Sequence, residues 1–212
     1  MGTRNGIKLL LIFLCVGLAV SAQTARSVLD QTASRLSGMG GLQANFVVTT
    51  YVGSRENGTA SGVIYLQGNS FRVKTEQMQT WFDGKTQWSL MPANGEVYVS
   101  TPTAEELQSV NPYYFLNLYK SGYNYQLVST TYNGKTCHEV RLGAQKSGQD
   151  IREMRIVVDK SDYTLYSVRL KQKNGNWTRI RVSNLAGGKK WPSSYFQFNK
   201  KEFPKVEVVD LR

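Results

Sequence analysis

His138 is the single histidine in a chain of 212 residues, and Cys137 stands beside it, so this pair is where nucleophilic or metal chemistry would first be sought. A thiol activated by an imidazole needs both groups on one surface. The stretch Thr136 to Leu142 reads as a strand, and neighbours on a strand point to opposite faces, so the pair fails on geometry. One histidine beside no obvious nucleophile argues against a Ser-His-acid triad and against a His-rich metal site. The carboxylates are scattered. Glu105 and Glu106 open a helix, Asp83 and Asp159 sit at turns, and Glu139, Asp150 and Glu153 alternate with basic residues, so no paired-acid site forms. No Gly-rich phosphate loop follows a strand and opens a helix. The expectation is a protein that is not an enzyme, with no metal and no cofactor.

The pattern that does carry information is apolar. Between Phe71 and Val99, short β-type segments are joined by Asp83-Gly84 and Asn94-Gly95, dipeptides that suit tight hairpin turns. A two-residue loop at Asp83-Gly84 would pair Trp81 with Thr86 and place Trp88 and Leu90 on the same face. A second hairpin through Pro92-Ala93-Asn94-Gly95 adds Val97 and Val99. Apolar surface of that extent is covered either by the chain itself or by a bound apolar molecule. An acyl chain suits it, because each buried methylene contributes about 0.8 kcal/mol without any directional contact; two or three such chains could be held.

The elements that must position these residues are legible from periodicity. Thr24 to Leu36 reads as an amphipathic helix with Val28, Leu29, Thr32, Ala33 and Leu36 on one stripe and Gly38 as its stop. Alternation then takes over, giving strands at Leu42–Val52, Thr59–Gln67 and Ser70–Glu76. Phe46, on the first of them, is assigned with the lipid-facing residues. The alternation breaks between Thr101 and Gly122, where Thr103 to Glu106 looks like a capping box and Asn111-Pro112 begins a second, unusually apolar helix containing Phe115, Leu118 and Tyr119. Lying across the sheet, this insert would act as a lid or plug the core.

Strands resume at Tyr125–Thr131, Thr136–Leu142, Ile151–Asp159, Thr164–Lys173, Trp177–Leu185, Tyr195–Phe198 and Val206–Val209, for about eleven in all. At Asn174-Gly175-Asn176 a three-residue loop pairs Leu170 with Ile180 and Val168 with Val182. Arg169, Lys171, Lys173, Arg179 and Arg181 then share the opposite face, with Trp177 stacked near Lys173. That face reads either as a solvated outer surface that discourages aggregation or as a docking surface for an acidic partner or an anionic membrane.

Residues 1–22 read as a cleaved signal peptide. Arg4 and Lys8 precede the apolar run Leu9 to Val20, and Val20-Ser21-Ala22 offers the small residues of a cleavage site. The run is too short to span a membrane, which takes roughly twenty residues. Leu14 before Cys15 argues against a lipid-anchored start. Removing the 22 residues leaves 190 of 212, one domain over residues 23–212, and with Arg4 and Lys8 gone the formal net charge falls from +11 to +9. Only Cys137 survives, so no internal disulfide can form. The expected setting is the periplasm, where cationic surface meets anionic headgroups or acidic proteins more readily than nucleic acid.

Gly62-Val63-Ile64-Tyr65-Leu66, Phe71-Arg72-Val73, and Trp81-Phe82-Asp83-Gly84-Lys85 running on to Trp88 and Pro92 resemble the periplasmic outer-membrane lipoprotein carriers of the LolA type. Phe196-Gln197-Phe198 and Pro204 to Asp210 are similar to that family's closing strands. The resemblance implies an unclosed antiparallel β-barrel of about eleven strands with helices over its concave face. It implies a carrier that receives acylated lipoproteins from an inner-membrane ABC-type releasing complex and delivers them to an outer-membrane acceptor, acting as a monomer. On that basis Ile64, Leu66, Phe71, Val73, Trp81, Trp88 and Leu90 line a lipid cavity, with Phe115 and Leu118 on the lid. The best-studied members carry an Arg-Pro pair at the turn before the Phe-Arg strand, where the arginine tethers the lid; here the turn reads Gln67-Gly68-Asn69-Ser70 and the tether is missing. The alternative is a lipid-responsive envelope sensor or adaptor that shares the fold and binds a protein partner. A secreted hydrolase with an unrecognised site is a third reading.

Overall fold

The computed structural model describes residues 24–103, 106 and 118–212. Residues 1–22, expected to be a signal peptide, and Phe115, with most of the apolar insert, lie outside the described residues. Residues 24–38 form helix α1. Twelve strands follow: β1 (Gly41–Val52), β2 (Arg55–Gln67), β3 (Ser70–Thr75), β4 (Gln79–Phe82), β5 (Gln87–Met91), β6 (Glu96–Ser100), β7 (Tyr123–Tyr132), β8 (Lys135–Ala144), β9 (Ile151–Asp159), β10 (Leu165–Gln172), β11 (Trp177–Lys189) and β12 (Glu207–Asp210). They make one sheet in the order β12-β6-β5-β4-β3-β2-β1-β11-β10-β9-β8-β7. Its two edge strands do not pair with each other, so the sheet curls without closing, as an open barrel.

Local chemistry sets the turns. Asn133 and Gly134 both take positive φ, 49° and 78°, the conformation of a two-residue hairpin loop, and Tyr132 pairs with Lys135 across it. The Asp83 turn is longer than its dipeptide suggests. Asp83 Oδ1 accepts from the N–H groups of Lys85 at 3.0 Å and Thr86 at 2.8 Å, which stabilises a four-residue loop in which Phe82 pairs with Gln87 and Trp81 with Trp88 rather than Thr86. The slip is two residues, so every side chain keeps its face. At the β10–β11 hairpin the loop has three residues, Lys173 to Gly175, because the Gln172 N–H donates to Asn176 O at 2.8 Å. Val168 therefore pairs with Ile180, and Lys171 with Trp177, again two residues from the expected register with the faces preserved.

The C-terminal segment departs further. Residues Ser193–Phe196 form a short 3-10 helix instead of a strand, and β12 pairs parallel to β6. Thr103 and Glu106 do form the reciprocal cap: the Glu106 N–H donates to Thr103 Oγ1 at 3.2 Å and the Thr103 N–H to Glu106 Oε2 at 2.7 Å.

Alternation gives the sheet two apolar faces at one end. On the inner face, Ala25, Val28 and Leu29 of α1 pack with Val140, Leu142, Met154 and Val158, while Leu36 packs with Leu42, Leu66, Phe71 and Phe82. On the outer face of β4–β6, Trp81, Leu90 and Val97 pack under Phe198, Phe203 and Val206.

Candidate functional site, an apolar cavity beneath the helix

Between α1 and the inner face lies a cavity of about 270 Å³. Its roof is Leu29, Thr32 and Leu36 of α1, and Tyr119 closes one end. Its wall is a set of residues in register: Ala44, Ile64 and Val73 oppose one another across β1, β2 and β3, and Val48, Ile180, Val168 and Ile156 across β1, β11, β10 and β9. Phe46, Leu66 and Val182 fill in between. Gly62 pairs with Phe46, and a Cβ there would stand 2.2 Å from the Lys74 carbonyl oxygen and 2.8 Å from Phe46 Cζ. A side chain at position 62 would collide with that ring and with the Lys74 backbone.

The polar groups at the wall are occupied. Thr32 Oγ1 donates to the Val28 carbonyl at 2.9 Å, and the Tyr119 hydroxyl donates to Asp30 Oδ1 at 2.7 Å. Burial, together with the Asp30 carboxylate, pushes the Tyr119 phenol well above the usual tyrosine value, so the phenol stays a neutral donor. A wall of this kind directs no ligand by hydrogen bonding; it favours apolar volume.

Of the residues expected to face lipid, Phe46, Ile64, Leu66 and Val73 line this cavity, and Leu118 packs at the margin of the adjoining core. Phe71 is on the same face but 1% exposed, with its ring 5.1 Å from that of Phe82, and does not reach the cavity. Trp81, Trp88, Leu90, Val97 and Val99 are on the other face. Phe71 pairs with Phe82, not Trp81, so strand alternation separates the two sets. The Trp81 side is covered by the chain: its ring lies 5.6 Å from Phe198 and 5.7 Å from Phe203. The expectation that all these residues share one cavity is corrected accordingly.

The sequence reading missed Leu29 and Leu36 as the roof, and Val168, Ile180 and Val182 as wall. Their signal was present, since the last three lie opposite the basic face already assigned to β10–β11. Gln67, at the turn without the Arg-Pro pair, donates through Nε2 to Trp191 O and accepts from the Trp191 N–H, both at 2.9 Å. It pins the C-terminal segment instead of a lid.

Arg169, Lys171, Arg179 and Arg181 share the outer face as expected. Lys173 is in the hairpin loop, where its N–H donates to Asp150 O at 2.8 Å. Trp177 is approached not by Lys173 but by Arg155, Arg169 and Lys171, at 5.2, 5.0 and 5.6 Å. Cys137 pairs with Asp159 and His138 with Val158, on opposite faces. Burial raises the Cys137 thiol and lowers the His138 imidazole, so both are neutral near pH 7. Among the described residues no group of three or more His, Cys, Asp or Glu side chains could hold a metal, and no helix is long and apolar enough to cross a membrane.

No curated protein matches the sequence. Among solved structures, an uncharacterized conserved protein from Thermus thermophilus is similar over 88% of this chain and 99% of its own, with 12% identity and a TM-score of 0.58. A putative outer membrane lipoprotein-sorting protein domain from Vibrio parahaemolyticus matches 84% of this chain and 99% of its own, at 12% identity and a TM-score of 0.42. The Pseudomonas aeruginosa MucA/MucB complex matches 88% of this chain and 63% of its own, at 15% identity and a TM-score of 0.46. The family profile described as outer membrane lipoprotein carrier protein LolA matches residues 15–175. The open sheet with its helix across the concave face agrees with that match, and the chain belongs to the LolA family of outer membrane lipoprotein carrier proteins.

Proposed function

We propose that the protein is a periplasmic carrier that shelters the acyl chains of outer-membrane lipoproteins in the cavity beneath α1 and ferries them from the inner to the outer membrane. The observation that supports this reading is the character of the wall. The helix and six strands contribute apolar side chains, and the hydroxyls of Thr32 and Tyr119 are spent internally. Such a surface rewards contact area alone, at about 0.8 kcal/mol per methylene buried. The volume of about 270 Å³ sits just below the roughly 300–1,000 Å³ of ordinary ligand pockets. It admits part of one chain as it stands, and the rest of that chain and any further ones enter as α1 lifts from the sheet. An ABC-type complex would supply the acylated cargo and an outer-membrane acceptor or anionic membrane surface would receive it.

The test is native mass spectrometry of protein isolated from the periplasm, joined to titration with a fluorescent fatty-acyl probe. Acylated protein or lipid bound one to one, displaced by the probe, is the expected result; empty protein that ignores the probe overturns the reading. A second reading, the lipid-responsive sensor or adaptor, is favoured by the arginines of the outer face. It requires that deletion leave lipoproteins correctly sorted in fractionated envelopes.

A further inference from the structure

Behind the cavity wall, on the outer face, Arg141, Arg155, Arg169 and Arg179 stand directly opposite one another on the adjacent strands β8, β9, β10 and β11. Strands lie about 4.8 Å apart, so the row is about 14 Å long. Like charges placed opposite on a sheet are destabilising, and the chain relieves only half of them. Arg141 pairs with Glu139, and Arg155 with Glu153 at 2.7 Å; in each case the carboxylate is two residues earlier on the same strand. At that offset Arg169 has Ser167 and Arg179 has Trp177. The Nε atoms of Arg169 and Arg179 are buried without a hydrogen-bond partner among the described residues. Their guanidinium groups rest on aromatic rings instead, Arg169 5.0 Å from Trp177 and Arg179 5.6 Å from Tyr51.

From this we infer that the β10–β11 half of the outer face is a docking site for an acidic segment of a partner protein, with Arg169 and Arg179 each receiving a carboxylate from it. The paired half of the row displays the geometry to be completed: a carboxylate beside a guanidinium on a flat strand surface, a charge-assisted contact stronger than a neutral hydrogen bond. Arg181, paired with Ser167, flanks the two arginines and extends the positive field, while Lys171 stands between Trp177 on β11 and Glu153 on β9. The charge pattern selects a polypeptide over a membrane. A planar anionic surface laid on this face would also press against Glu139 and Glu153, whereas a segment with two or three acidic residues, about 7 Å apart at alternate positions if extended, can lie over Arg169, Arg179 and Arg181, on the side of the row away from both glutamates. The ring contacts hold both arginines in place before the partner arrives, so little side-chain freedom is lost on docking.

The experiment uses fluorescein-labelled octaglutamate as the probe, measured by anisotropy at two salt concentrations, with the full mature protein. Wild type binds it, and more weakly at higher salt. The Arg169→Gln/Arg179→Gln double variant is expected to lose about tenfold or more in affinity, while Arg141→Gln, whose guanidinium already has Glu139, changes by less than about twofold. Equal losses in both, or none in the double variant, overturn the site. Binding of phosphatidylglycerol vesicles that depends on Arg169 and Arg179, with octaglutamate ignored, would replace the protein partner by a membrane and also overturn it. Binding of the fatty-acyl probe by the same double variant reports on the cavity separately. If acyl binding is normal and octaglutamate binding is lost, the fold is intact and the two functions stand apart.

Discussion

The Tyr119 hydroxyl donates to Asp30 Oδ1 at 2.7 Å, across 89 positions of sequence. The bond ties the outer side of α1 to the chain where it returns toward β7, and Arg35 adds a second tie to Asp162 at 3.0 Å. Between them lies the apolar stripe of α1 that roofs the cavity. The helix is thus held over the sheet by oil along its length and by these polar bonds from Asp30 and Arg35.

Tyr119→Phe removes one of those points while keeping the ring. The expected loss is about 1 kcal/mol of stability, with faster hydrogen exchange of the α1 amides and no change in those of β4–β6. Unaltered exchange in α1 would show that the bond does not restrain the helix.

Ala44→Phe should fill the cavity from β1, opposite Ile64. Overpacking of this kind costs about 1–3 kcal/mol, and acyl-probe affinity is expected to fall about tenfold or more as the space that rewards apolar contact disappears. A folded variant that binds the probe as tightly as wild type would place the lipid elsewhere.

Leu90→Ala makes the converse test. Leu90 is 4% exposed and packs under the C-terminal segment, so truncation should cost about 2–5 kcal/mol. Because it lies on the opposite face from the cavity, the protein that remains folded should bind acyl probe with wild-type affinity. Denaturant titration and probe binding on the same sample separate the two effects.

Gly62→Ala asks whether the ring of Phe46 depends on the missing side chain below it. The new methyl meets backbone at Lys74, which cannot give way as a side-chain tip would. The expected outcome is destabilisation of about 1–3 kcal/mol and weaker acyl binding. Gly62→Ala paired with Phe46→Leu should recover part of the binding, since the smaller side chain relieves one of the clashes.

Acid stability should reveal Asp159. Its carboxylate accepts from the Ser161 hydroxyl at 2.6 Å, the Ser161 N–H at 2.8 Å and the Tyr166 hydroxyl at 2.8 Å, with Lys135 at 3.8 Å. Those hydrogen bonds, led by that of the Ser161 side chain, hold its pKa well below the usual carboxylate range. A carboxyl depressed on folding contributes stability that is whole above its unfolded value, near pH 4, and is lost as the pH falls further. Melting curves of Asp159→Asn should start lower at pH 6 and decline less steeply than wild type between pH 4 and pH 2.

Much of this arrangement can be read from residue alternation. The opposition of Val168, Leu170, Ile180 and Val182 to Arg169, Lys171, Arg179 and Arg181 follows from the pattern on β10 and β11, and it survives a two-residue error in register because an even slip leaves faces unchanged. What alternation does not carry is which apolar face encloses space. Trp81 and Ile64 both sit in apolar strands, yet one is sealed by Phe198 and Phe203 and the other looks into the cavity. Phe198 reads as the end of a strand and Phe203 as a loop residue, whereas the chain there turns through a short 3-10 helix, so nothing local announces the face they cover. The Asp83 loop escapes a local reading for a similar reason, because two hydrogen bonds to a side chain outweigh the preference of the dipeptide.

The parallel return of β12 beside β6, with Phe198, Phe203 and Val206 laid behind Trp81, makes one end of the sheet a two-ply laminate. Among the described residues the outer face of β8–β11 carries no such second layer, only guanidinium groups, the Trp177 ring and two glutamates. Bending stiffness is therefore unequal along the sheet. Any change in curvature at the β8–β11 end would alter the spacing of the arginines mounted on it, so the shape of the inner wall and the display of positive charge outside are mechanically joined.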